Sequence, residues 1–288
     1  MYYFRKGGEM MNRSIEVNGS EIYYYDSQTK GDTVVAVHGL TGNHLQLSHY
    51  RNLLEGSYRF ISVDLKGRGN SAPATEKTGI EQHTQDILAL LDALQIRNPI
   101  LIGYSMGAFI MANIASRRHD VKALVLLDGA AECTPDHQNK IVEPSLGRIS
   151  KIYPTADAYV EEVKNIYDNL GVKWSQELEE MARYEIKQID AGWTHRSDED
   201  KIRQDFKSFY TYKPEEVFTS IECPILLIHS QGRIGQMPPL FVNESYVSTM
   251  EAAKNIRKVD SETNHYTLVC EKQPEINTAI QTFFEKNL

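Results

Sequence analysis

The sequence predicts an α/β fold: a mostly parallel central sheet covered by helices on both faces, with a helical lid insertion. Three observations predict it. Short, continuously apolar runs alternate with segments whose apolar residues recur at helical spacing. The stretch 131–216, between two such runs, holds no convincing buried strand and is charged, aromatic and helix-like. The 288-residue chain is 41% hydrophobic, enough for one large core with an insertion. The expected division is a core of residues 1–130 and 217–288 and a lid of residues 131–216.

Each element has a local reason. Residues through Met10-Met11 read as a loose tail or an upstream start, and Met1–Lys6 lacks the apolar run of a signal peptide. Ser14–Val17 and Glu21–Tyr25 alternate as strands around Asn18-Gly19, a hairpin turn pair. Thr33–Val37 reads as a buried strand ending at His38-Gly39, with a helix expected over His44–Leu54. Arg59–Val63 is the next strand, followed by Asp64 and Gly67-Arg68-Gly69-Asn70-Ser71. Ile87, Leu88, Leu90, Leu91 and Leu94 have helical spacing within 80–94. Pro99–Ile102 and Ala123–Leu127 are buried strands around a helix over Ala108–Ala115. In the lid, Ala156–Asn169 and Ser175–Ile189 read as helices. Strand Pro224–His229, helix Glu244–Lys254, strand Ile256–Val259 and helix Pro274–Lys286 close the chain.

Composition excludes several functions. A net charge of −8 disfavours nucleic acid, which needs clustered Lys and Arg. No stretch approaches the roughly 18 apolar residues of a membrane span. Cys133, Cys223 and Cys270 lack metal-ligand or redox spacing and read as reduced thiols of a cytoplasmic protein. The expected partner is a small-molecule acyl substrate, with no nucleic acid, no membrane, no metal and no organic cofactor; a homodimer is compatible with the sequence.

Ser105 lies in Gly103-Tyr104-Ser105-Met106-Gly107, between an apolar strand and a helix. So tight a turn needs small flanking residues, and it lifts the hydroxyl to the sheet edge at a helix N-terminus. A serine hydroxyl needs a base, and the base needs an orienting acid. His265 fits as base, in a polar loop after the last strand that can reach back to Ser105. Backbone N–H groups of Met106 and Leu40 are the candidate oxyanion donors. His38, Gly39 and Tyr104 are candidate substrate-binding residues, glycine allowing the backbone to approach a ligand.

These residues resemble the α/β-hydrolase superfamily. His38-Gly39, Asp64 with Gly67-Arg68-Gly69-Asn70-Ser71, the Ser105 pentapeptide and His265 occur in that family's order across residues 33–265. The resemblance implies a Ser-His-acid hydrolase and says little about substrate. It gives Asp64-x-x-Gly-x-Gly a structural role, as a tight loop under the lid. One departure stands out. The family's usual acid would fall near His229–Ile234, yet no Asp or Glu occurs from Pro224 through Val242. A minority of such enzymes place the acid one strand earlier, where this chain has Asp128. Asp128 is the preferred orienting acid; Glu244, Glu132 and a missing acid are the alternatives.

The lid should set specificity. Most of its aromatics, Tyr153 through Tyr212, should pack it onto the core, with a few lining an acyl or aryl pocket. His195-Arg196, Arg203 and Arg233 are candidate contacts for an anionic substrate, against solvated surface positions. The reading is a serine hydrolase cleaving a small carboxylic ester, carboxylesterase-like, through an acyl-enzyme on Ser105. Lactonase, amidase, thioesterase and carbon–carbon hydrolase activities share that machinery, and a non-catalytic ligand receptor is the rival of another class.

Overall fold

A computed structural model describes residues 12–135, 139, 142–143 and 146–288. The expected tail through Met10-Met11 lies outside the described residues. Strands β1 (Asn12–Val17) and β2 (Ser20–Asp26) pair antiparallel. Asn18 and Gly19 join them with φ of 49° and 69°, the left-handed pair that a two-residue hairpin turn needs. Then come β3 (Thr33–Val37), helix α1 (Ser48–Leu54), β4 (Arg59–Val63), α2 (Ile80–Ala93), β5 (Ile100–Tyr104), α3 (Met106–Arg117) and β6 (Ala123–Leu127).

The insertion follows, with β7 (Ile152–Tyr153), α4 (Ala156–Asn169), α5 (Gln176–Tyr184), β8 (Ile186–Ile189), β9 (Gly192–His195), α6 (Glu199–Lys207) and α7 (Pro214–Phe218). Side-chain caps start its main helices: Thr155 Oγ1 accepts from Ala158 N–H, Ser175 Oγ from Leu178 N–H and Asp198 Oδ1 from Lys201 N–H. The core resumes with β10 (Ile225–Ser230), α8 (Val247–Ala252), β11 (Ile256–Ser261), α9 (Thr267–Cys270) and α10 (Pro274–Asn287).

The main sheet has eight strands in the order β1-β2-β4-β3-β5-β6-β10-β11. From β4 to β11 every neighbouring pair is parallel. β5 and β6 are fully buried, as expected of strands covered on both faces. Among the described residues, no helix is long and apolar enough to cross a membrane.

Three expectations change. The helix placed at His44–Leu54 begins at Ser48, because the His44 N–H and ring both bond Asp64, holding residues 44–47 in a turn. The helix placed at Ser175–Ile189 stops at Tyr184, and its last residues form β8. The insertion is therefore not purely helical: it carries a three-stranded antiparallel sheet in the order β7-β9-β8.

Two details tie the sheet to the segments above it. His38, buried at the end of β3, bonds the Gly39 carbonyl through Nδ1 at 2.7 Å and accepts from Leu65 N–H through Nε2 at 3.1 Å. This neutral tautomer locks the ends of β3 and β4 together, and burial depresses the imidazole pKa to about 4. At the start of α3, a Cβ on Gly107 would lie 2.2 Å from the Val37 carbonyl oxygen, and one on Gly103 would lie 2.3 Å from the Gly107 oxygen. The strand–helix contact at this elbow therefore leaves no room for a methyl group.

Two outcomes are expected. An unfolded histidine titrates near 6.5, so the unfolded chain binds the extra proton first as pH falls; stability owed to a neutral His38 is full above about pH 6.5 and is lost between about 6.5 and 4. That amounts to about 3 kcal/mol, and chemical denaturation at stepped pH should give a flatter profile for His38→Asn than for the wild type. Gly107→Ala should destabilise by about 3 kcal/mol or more, read as a lowered denaturation midpoint at unchanged slope.

Candidate active site

The carboxyl ends of the parallel strands meet on one edge, and the candidate residues stand there. Ser105 directly follows β5 with φ 52° and ψ −117°, a sparsely populated conformation for a residue with a side chain. Its N–H bonds the Leu127 carbonyl at 3.0 Å, pinning the turn to the end of β6. His265 lies between β11 and α9. Its Nε2 lies 3.1 Å from Ser105 Oγ and its Nδ1 2.7 Å from Asp128 Oδ2. With Nδ1–H donating to the carboxylate, Nε2 is left to accept the serine proton.

Asp128 follows β6 with φ 47° and is fully buried. Its Oδ1 accepts from Ser230 N–H at 3.1 Å and from Tyr246 OH at 3.2 Å, while Oδ2 is left for His265. A buried carboxylate needs such donors to remain charged. Because β10 lies beside β6, the Asp128 carboxylate reaches the end of β10, next to the loop where the family's usual acid would be. Glu244 and Glu132 are exposed and take no part in this array.

The imidazole is held from several sides. Tyr104 OH donates to the His265 carbonyl at 2.9 Å, and the two rings lie 4.9 Å apart. Asn264 carries a role that the sequence reading missed. Its Oδ1 accepts from Tyr266 N–H and Thr267 N–H, and its Nδ2 donates to the Leu170 carbonyl of the insertion at 2.8 Å. An asparagine just before a candidate base, at a helix start, was the available signal.

Met106 opens α3, so its N–H has no carbonyl one turn back within the helix. The Gly39 carbonyl is occupied by Gly42 N–H at 3.1 Å and by His38 Nδ1. Across a planar trans peptide the Leu40 N–H points the opposite way. A small cavity opening to solvent lies over these groups, with Gly39, Leu40, Tyr104, Ser105 and His265 in its wall. His38 is absent from that wall and faces the backbone beneath it.

The insertion supplies most of the apolar wall, through Ile166, Tyr167, Leu170, Phe206 and Phe209. None of the cations singled out from sequence lines the cavity. Arg203 pairs with Glu199 and Glu143, Arg196 Nε donates to the Tyr184 carbonyl, and Arg233 is exposed and bonds the Gln236 carbonyl. The Asp64 loop does sit beneath the insertion: Tyr184 OH donates to Asp64 Oδ2 at 2.6 Å. Among the described residues, no group of three or more His, Cys, Asp or Glu side chains is arranged to hold a metal ion.

Known proteins share this organisation. The curated relatives include the AB hydrolase superfamily protein YisY of Bacillus subtilis (strain 168), 36% identical over 104 residues that cover 35% of this chain and 39% of that protein. An epoxide hydrolase of Caballeronia sordidicola is 32% identical over 116 residues, covering 39% of this chain and 35% of the relative. Across such relatives the chain spans only 27% to 51% of their lengths. Among solved structures, an E-2-(acetamidomethylene)succinate hydrolase superposes with a TM-score of 0.78 at 18% identity, over 95% of this chain and 98% of that one. The enol-lactonase of Burkholderia xenovorans LB400 gives 0.71 at 18% identity, over 95% and 100%. At that identity the likeness shows the fold alone. The profile for the alpha/beta hydrolase fold matches residues 32–268, and the chain belongs to that family.

Proposed function

We propose that this chain is a serine hydrolase that cleaves a small carboxylic ester through an acyl-enzyme on Ser105. The observation that carries the reading is the continuous array from Ser105 Oγ through His265 to Asp128, at 3.1 Å and 2.7 Å, on the floor of a largely apolar cavity. In the proposed reaction His265 Nε2 takes the Ser105 proton as Oγ attacks the carbonyl carbon. Charge moves to the carbonyl oxygen, where the Leu40 and Met106 N–H groups donate. The imidazolium, stabilised by Asp128, returns the proton to the leaving alkoxide, and the ester C–O bond breaks. Water then repeats the sequence on the acyl-enzyme, releasing the acid and restoring the serine.

Hydrolase membership and the array support acyl transfer in general; lactones, amides, thioesters and activated carbon–carbon bonds are substrates for the same groups. Among relatives and neighbours are an epoxide hydrolase, an enol-lactonase and a thioesterase domain, so names alone do not choose among bonds. A serine at 105 fits acyl-enzyme chemistry rather than the alkyl-enzyme that an aspartate would form. The receptor reading drew its support from a missing acid, and Asp128 removes that motive. The insertion is proposed to act as a lid that selects the acyl group, in a cytoplasmic protein.

A fluorophosphonate probe should label the wild type and not Ser105→Ala; absence of wild-type labelling would favour the receptor. Ser105→Ala and His265→Ala should each lower kcat on 4-nitrophenyl esters by about 10⁴-fold or more. Asp128→Asn should lose a comparable factor, because the amide forces the wrong imidazole tautomer, while Glu244→Gln should match the wild type. A damaging Glu244→Gln would overturn the assignment of the acid.

A further inference from the structure

Of the polar side chains in the cavity wall, Arg148 has its charge met inside the protein, by the Glu185 carboxylate at 3.7 Å. Gln46 is turned to a different use. It belongs to no motif in the sequence and is half-buried, in the turn before α1. Its Oε1 accepts from Gly39 N–H at 2.8 Å. A backbone N–H can bond only the oxygen of a side-chain amide, so this contact fixes which way the amide faces.

Gly39 packs directly on the nucleophile: a Cβ there would lie 3.2 Å from Ser105 Cβ and 3.0 Å from Tyr104 Cε1. Glycine gives that close approach but leaves the backbone free to turn. The Leu40 N–H, the expected oxyanion donor, belongs to the peptide between residues 39 and 40. Its aim depends on how that peptide and its two neighbours are held. Gln46 holds the preceding peptide through the Gly39 N–H. The middle one is held by its carbonyl, which accepts from His38 Nδ1 at 2.7 Å and Gly42 N–H at 3.1 Å. Arg68 holds the following one, with Nε and Nη2 at 3.0 Å and 2.9 Å from the Leu40 carbonyl. Room for the Gln46 amide comes from Gly42, where a Cβ would lie 2.2 Å from Oε1 and 2.7 Å from Cδ. Two residues of one turn are thus fitted to each other to make this bond.

We infer that Gln46 is a positioning residue for the oxyanion site: its side-chain oxygen clamps the Gly39 N–H so that the Leu40 N–H faces the reacting oxygen. Loss of the clamp falls on the transition state, where charge sits on that oxygen, more than on substrate binding. The inference rests on the hydrolase reading.

Two variants test it by different routes. Gln46→Ala removes the acceptor. Gly42→Ala pushes the amide off Gly39 at little backbone cost, since Gly42 has negative φ. Each should lower kcat on 4-nitrophenyl esters and the rate of fluorophosphonate labelling by about 10- to 100-fold with KM within about twofold, part of what a whole oxyanion donor contributes. The double variant should lose no more than the worse single one, because both act through one bond. Amide hydrogen exchange at Gly39 should be faster in both, a readout that needs no turnover. Unchanged kcat and labelling in the variants of an active wild type would make the bond purely structural and overturn the inference. Losses that multiply in the double variant, or unchanged exchange at Gly39, would overturn it as well. A wild type that neither turns over nor is labelled would instead sink the hydrolase reading. Should one single variant fail to fold, the other decides.

Discussion

Strand direction is the constraint on which the site depends. Because β4, β3, β5, β6, β10 and β11 run the same way, their carboxyl ends share one edge. Residues 105, 128 and 265 are far apart in the chain, and the sheet alone brings them within hydrogen-bond distance. Asp128 concentrates that constraint. Its carboxylate takes donors from β10, from the turn before α8 and from the loop after β11, so one buried charge joins three segments. Charge-assisted bonds of this kind contribute about 1.5–3 kcal/mol each, and leaving a buried charge without them is more costly still.

The insertion is tied to the same edge by polar contacts as well as by packing. Asp205 of α6 bonds Arg68 at 2.5 Å, Thr78 Oγ1 at 2.5 Å and His83 Nε2 at 3.2 Å, and of these only Thr78 is half-buried, the other three being buried. The same Arg68 holds the Leu40 carbonyl through Nε at 3.0 Å and Nη2 at 2.9 Å. Phe209 packs 4.8 Å from Phe109 of α3. The insertion and the Leu40 loop therefore share Arg68 as a common support, so a change at Asp205 is transmitted to the backbone beside Ser105.

Much of this was legible in the residues. Strands at 33–37, 59–63 and 123–127 are short apolar runs bounded by turns, and burial on both faces leaves them no other pattern. Asp128 was legible as a candidate through the resemblance, which offers the end of the strand after the elbow helix as a second place for the acid where 224–242 contains no carboxylate. The small sheet of the insertion was not, since Lys187, Gln188 and Thr194 are half-exposed or exposed and Tyr184-Glu185-Ile186 continues a helical period. Arg148 was hidden for a related reason. Its environment comes from α4, the turn between α5 and β8, and the loop after β3, and no local spacing encodes contacts so distant in sequence. Among the described residues near it, Val142, Leu146 and Ile149 are the apolar neighbours that share its burial.

The backbone at the rim has a thermodynamic consequence. Ser105, Asp128 and Ala130 all hold positive φ, at 52°, 47° and 61°, without being glycine. Each such residue stores about 1–3 kcal/mol, so together they offset a sizeable fraction of the 5–15 kcal/mol by which a domain outlasts its unfolded chain. Only the dry interior of β5 and β6 keeps them there. Anchored in the centre of the sheet, these residues can relax toward ordinary geometry only as β5 and β6 themselves come apart, so the strain is released in global unfolding and not in local fraying.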